Sequence, residues 1–164
     1  MNKFVLALAT VIHLLPHPFG VSTIGALAVY GGARGNGVMA CITPLIPLLI
    51  GNFIFGFYEP TVLLFVYIGF GVSALAARFI LRKNQNGRRY TLAVSAGAVL
   101  FFLISNFSIW LAGMYPPTAA GLATCYLNGL PYLGTAVLAD GMYSLLLFNL
   151  HDALERRRLS PVTT

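Results

Sequence analysis

An aspartate stands alone in an apolar run near the end of the chain, in Leu138-Ala139-Asp140-Gly141-Met142. A carboxylate at mid-membrane costs about 2.5–3.5 kcal/mol even on insertion scales, so it faces a partner or a wet cavity. Tyr143 and Ser144 follow at i+3 and i+4, which on a helix makes a short polar face. Such a face can hold the polar head of a small ligand, or it can bond a neighbouring helix and bind nothing. A second group lies in Ser105-Asn106-Phe107-Ser108-Ile109-Trp110, with Asn106 and Trp110 one helical turn apart. An amide in lipid requires a partner, whereas Trp110 and Tyr115 also suit the aromatic belt at a membrane surface.

Tyr126, Asn128 and Tyr132 lie beside Cys125. Aromatic rings over a cavity stack on flat ligands. Cys125 is a candidate ligand for a soft metal, although a lone buried cysteine more often serves as a small hydrophobe. His13 and His17 are four apart around Pro16. Sharing a metal would require a regular helix, which the proline opposes, and no third ligand is evident. His17, between two prolines, reads as an outer-loop residue gating the cavity. There is no nucleophile elbow, P-loop or His-Glu-x-x-His pattern. The expected chemistry is therefore binding of a ligand by Asp140, Asn106, Trp110, Tyr115, Tyr126, Tyr143 and His17, with no enzyme activity and no cofactor.

The elements that position these residues follow from composition. Of 164 residues, 58% are hydrophobic and only 14 are charged, 10 basic and 4 acidic. A soluble domain carries about 25% charge, and a disordered chain needs low hydrophobicity, so both are excluded. Period-two alternation is absent, which disfavours a β-barrel. The chain reads as one transmembrane domain over 1–164, all-α and polytopic. Apolar segments are Phe4–Leu15, Ser22–Ala33, Val38–Tyr58, Thr61–Leu81 and Tyr90–Ala112, separated by Pro16-His17-Pro18, Arg34-Gly35-Asn36-Gly37, Glu59-Pro60 and the hydrophilic loop Arg82–Arg89. Thr118–Leu154 is interrupted at Asn128-Gly129-Leu130-Pro131, which predicts a short re-entrant or surface helix over Thr118–Leu130 and a last span from about Tyr132 to Leu154.

Lys and Arg collect in cytoplasmic loops. All ten basic residues fall on one side if 4–33 is a hairpin of two short spans. That gives six transmembrane helices with both termini cytoplasmic. Cys41 and Cys125 then lie near opposite faces, too far apart for a disulfide. Gly69, Ser73 and Ala77, like Ala28 and Gly32, recur every four residues and suit close helix packing, either within the chain or against a partner subunit.

Leu14-Leu15-Pro16-His17-Pro18, Gly25-Ala26-Leu27-Ala28, Gly31-Gly32-Ala33, Ser105-Asn106-Phe107, Trp110, Met114-Tyr115-Pro116, Cys125-Tyr126, Leu130-Pro131 and Asp140 with Tyr143 together resemble a family of small bacterial integral membrane proteins of unassigned function. Phe19-Gly20-Val21-Ser22 departs from the family's Asn-Phe-Thr-Pro. In size and layout such proteins are similar to the substrate-binding S components of energy-coupling-factor vitamin transporters. That resemblance implies capture of a small, vitamin- or cofactor-like molecule from outside, in a bacterial inner membrane, with a transporter membrane subunit and its ATPases as partner. The Ala-x-x-x-Ala docking face of S components is missing from Phe4–Leu15. The competing expectation is a structural or assembly subunit of a larger membrane complex, in which Asp140 and Asn106 only join helices. Lipid is a partner in either case, and nucleic acid in neither.

Overall fold

The computed structural model describes residues 2–16 and 20–159. Among them the chain is entirely helical, with α1 (Lys3–Leu14), α2 (Ile24–Arg34), α3 (Gly37–Phe55), α4 (Pro60–Leu81), α5 (Gly87–Leu111) and α6 (Ala119–Leu159). Local chemistry sets most of the ends. Asn2 caps α1 through its side chain, and Leu15, forced out of the helical region by Pro16, stops it. Glu59 caps α4 with Pro60 at its first position, Asn86 caps α5, and α3 ends at Gly56 with φ +100°.

Four helices, α3 to α6, are long and apolar enough to cross a membrane. At 1.5 Å per residue, α1 and α2 span only about 18 and 16 Å of a core about 30 Å thick, so neither crosses it alone. They form an antiparallel pair. The Asn2 amide donates to the Tyr30 hydroxyl at one end, and Thr23 Oγ1 donates to the Ala9 carbonyl at the other.

The α2 helix is the hub of the bundle. Its run Ile-Gly-Ala-Leu-Ala-Val-Tyr-Gly-Gly-Ala-Arg has poor intrinsic helicity, since each glycine costs about 1 kcal/mol against alanine. Its small residues instead let neighbours in on every side, and Ala26 through Gly32 are all buried. Gly32 seats against the Ala74 carbonyl and the Ala77 methyl of α4, where a Cβ would not fit. Ser73 of α4 bonds the Gly97 carbonyl of α5 at 2.8 Å. The four-residue small patterns of α2 and α4 are therefore packed within the chain.

The basic residues gather at one end of the bundle. Arg34 pairs with Asp152 at 3.0 Å, Arg78 donates to the Gly35 carbonyl, Gln85 donates to the Ala33 carbonyl, and Arg89 donates to the Ile80 carbonyl. This end unites the close of α2, the α4–α5 loop and the close of α6, as the charge pattern required.

The C-terminal third differs from the sequence expectation. There is no separate short helix before a last span: α6 runs unbroken through Pro131 for 41 residues, about 61 Å. The proline forfeits one backbone bond, a cost that packing against α5 offsets. Gly121, Cys125 and Gly129 form a buried stripe every four residues, and Gly129 sits against Asn106 and Phe102 of α5. The helix therefore continues where local signals favoured a turn.

Candidate functional site

Asp140 comes from the middle of α6, where α2 and α6 run side by side in the same direction. Gly25 lies against Asp140, and Tyr30 and Arg34 lie against His151 and Asp152. A Cβ on Gly25 would fall on the Asp140 carboxylate, so glycine is what admits the acid. The carboxylate accepts a hydrogen bond from the Ala26 N–H, in the first turn of α2. Thr23, the residue in the N-cap position, makes no side-chain cap because its hydroxyl is turned to Ala9. Asp140 thus caps α2 from another helix, placing negative charge where the helix dipole favours it.

The rest of this end is also polar. Ser22 Oγ accepts from the Ile24 N–H at 3.2 Å and contacts His13 Nδ1 at 3.2 Å. Ser144, one turn from Asp140, is buried and its hydroxyl has no partner among the described residues. Between α1 and α2 the described residues 15, 16 and 20–23 are non-helical. Gly20, with φ +79°, packs against Thr135 and Tyr132 of α6. Tyr132 lies 19 residues from His151, about 28 Å along the helix, so the connection climbs from the level of Asp140 toward the far edge of a core about 30 Å thick. Unpaired backbone inside such a core persists only where it is buried in protein or lines a cavity. His17 lies outside the described residues.

The remaining predicted residues occupy a different place, the seam of α5 and α6. Asn106 is buried; its amide donates to Phe102 O at 2.9 Å, and Cys125 Sγ lies 3.3 Å from the Asn106 carbonyl. Tyr126 donates to Leu103 O at 2.7 Å, Trp110 Nε1 to Pro116 O at 3.0 Å, and Asn128 to Tyr115 Oη at 3.2 Å. Asp140 does not join them. Asn106 meets α6 at Gly129, 11 residues or about 16 Å from Asp140 on a continuous helix. Tyr143 is half-buried and packs against the hydrophobic core. An open depression at the α5–α6 turn, lined by Trp110 to Pro117, reaches neither Asp140 nor Asn106.

Both cysteines are free. Among the described residues no three His, Cys, Asp or Glu side chains gather as a metal site, and the Cys125 thiol is engaged with Asn106.

One cluster escaped the sequence reading. Tyr30, fully buried, bridges the Asn2 N–H at 3.2 Å and His151 Nδ1 at 2.9 Å. Phe148 packs on Tyr30 and Tyr90, with the Arg34 guanidinium 5.6 Å above its ring. The available signal was His151-Asp152 at the edge of the basic tail, but its partner lies 121 residues away.

Four apolar helices of membrane-crossing length, basic residues at one end and a buried mid-helix carboxylate are features of a helical membrane protein. The chain belongs to DUF6580, a family of unknown function, whose pattern matches residues 2–162. No curated protein and no solved structure matches it.

Proposed function

We propose that this protein binds a small, vitamin- or cofactor-like molecule within a bacterial inner membrane and serves in its transport. The observation that carries this reading is the start of α2 inside the bundle, on Asp140, where a non-helical connection joins it to α1. Half-length helices that begin near mid-membrane, joined by irregular backbone, are how many transporters build substrate sites. Asp140 lies about 16 Å from His151 at the basic end, near the middle of a core about 30 Å thick, and in this proposal the site opens toward the opposite, outer face. With the basic end cytoplasmic, both termini are cytoplasmic. The S-component likeness extends the proposal to an energising partner with ATPases; it rests on expected layout, an analogy of architecture.

Native mass spectrometry of gently extracted protein tests this reading. A bound small molecule that is retained by the wild type and lost by Asp140→Asn at unchanged thermal stability supports it. Loss of fold with unchanged retention assigns Asp140 to structure.

A second reading has its own support: the Asp140 carboxylate and the Asn106 amide both find partners inside the chain. In that case the protein is a structural or assembly subunit, and a stoichiometric protein partner without ligand is what co-purifies.

A further inference from the structure

We infer that the α4–α5 turn at the basic end is a binding site for the phosphate headgroup of an anionic phospholipid. The inference is independent of any ligand at Asp140. All ten basic residues lie at this end, against two acidic ones, Asp152 and Glu155. Several are engaged: Arg34 pairs with Asp152, and Arg78 and Arg89 donate to the Gly35 and Ile80 carbonyls. Arg82, Lys83 and Arg88 differ. All three are exposed, and their side chains have no partner among the described residues. Their height is that of a headgroup. The α4 helix has 22 residues, about 33 Å, and so just covers a hydrocarbon core about 30 Å thick. Leu64, Ile68, Leu75 and Phe79 form one exposed stripe along it, and Phe79 at its end is 79% exposed. Arg82 follows at i+3 with helical backbone, which extends the same stripe past the edge of the core. On α5, Arg88 stands one turn from Leu92 on a second exposed stripe that continues through Val99 and Leu103. Each helix thus presents an apolar stripe that ends in an arginine at phosphate level, and Lys83 lies in the turn that joins them.

The bias that orients a membrane chain needs only positive charge on one side, and a loose loop would serve. This turn is pinned. Gln85 donates to the Ala33 carbonyl at 3.2 Å and accepts from the Tyr90 hydroxyl at 3.0 Å, Arg89 donates to the Ile80 carbonyl at 2.8 Å, and Asn86 caps α5. Three unpaired cations held on one short turn repel one another, and an anion between them removes that cost. Guanidinium groups match phosphate oxygens two at a time, and the positive end of the α5 dipole adds to the same field. Charge and shape together select the occupant. Only a molecule that carries both a phosphate and acyl chains meets the cations and the apolar stripes at once, as basic pockets beside membrane helices do with acidic lipids.

The experiment is native mass spectrometry of the full chain released from nanodiscs of phosphatidylcholine and phosphatidylglycerol in equal parts. The wild type should retain phosphatidylglycerol in preference, and less of it as salt rises. Each surface cation contributes about fivefold in affinity, so the combined variant Arg82→Gln, Lys83→Gln and Arg88→Gln should weaken retention on the order of a hundredfold. The same charge change at Arg156→Gln, Arg157→Gln and Arg158→Gln should weaken it far less. Melting temperature is the folding control, because the three mutated side chains have no partner to lose. Inorganic phosphate in place of the lipid should leave no bound mass. Equal retention of the two lipids, undiminished retention in the folded triple variant, an equal loss in the charge-matched control, displacement of the lipid by inorganic phosphate, or an acidic protein occupying the turn in native membranes would each overturn the proposal.

Discussion

At its C-terminal end α2 is tied to the bundle by several groups that share the load. Tyr30 bridges α1 and α6, Arg34 pairs with Asp152, and aromatic rings of α5 and α6 pack around them. At its N-terminal end, about 16 Å deeper, one carboxylate reaches across from α6 into a space that a single glycine leaves open. The first end lies among charged residues, where losing one contact leaves others and water within reach. The second lies where an unpaired donor has no alternative partner. Redundancy belongs to the basic end, and dependence on one pair of residues belongs to the interior.

The sharpest way to break this contrast is Gly25→Ala. Helix propensity alone would gain about 1 kcal/mol, but the new methyl falls on the Asp140 carboxylate. The clash should win, with a net loss of about 3 kcal/mol read by thermal unfolding in detergent. Next is Asp140→Ala, expected to cost about 2 kcal/mol by leaving the buried Ala26 N–H without its acceptor. The two losses should not add, because Gly25→Ala in the Asp140→Ala background meets no carboxylate. An additive cycle would show that the pair does not act as a unit.

At the other end, Tyr30→Phe strands the Asn2 N–H and His151 Nδ1 together, at a cost of about 1.5 kcal/mol. A loss larger than that of Asp140→Ala would reverse the comparison. Asp152→Asn removes a pair whose side chains are 29% and 51% exposed, and should cost about 0.5 kcal/mol or less, vanishing in high salt.

The smallest effect lies outside the spans. The backbone amides of Val62 and Thr61, with the Thr61 hydroxyl, hold Glu59 below the usual carboxylate range. A depressed acid stabilises the fold above its unfolded pKa, and that contribution fades as pH falls through the lowered folded value. Acid titration of stability should therefore show a shallow loss below about pH 4 that Glu59→Gln abolishes. An identical acid profile in Glu59→Gln would remove this cap from the account.

The legible part of the candidate site was its composition. Asp140 and Asn106 stand out because polar groups are rare in apolar helices, and both are buried and hydrogen-bonded. What stayed hidden was their separation. The polar residues of α5 and α6 read as one patch only if α6 breaks at Pro131, which brings Asp140 up to Asn106. A continuous helix parts them.

The sequence by itself determined the solvent and the elements. Fourteen charges among 164 residues point to a membrane, the apolar runs and caps place the first five helices to within a few residues, and the basic residues select one end. Those properties are local or additive, so they survive being read one segment at a time. Tertiary structure alone decided that α2 is the buried centre, that Asp140 caps it and Tyr30 bridges 121 residues to His151, and that Pro131 is no break. Each of these depends on which helix lies against which. A glycine, a proline or an aspartate has a weak preference of its own, and the energy of the neighbour it meets exceeds that preference.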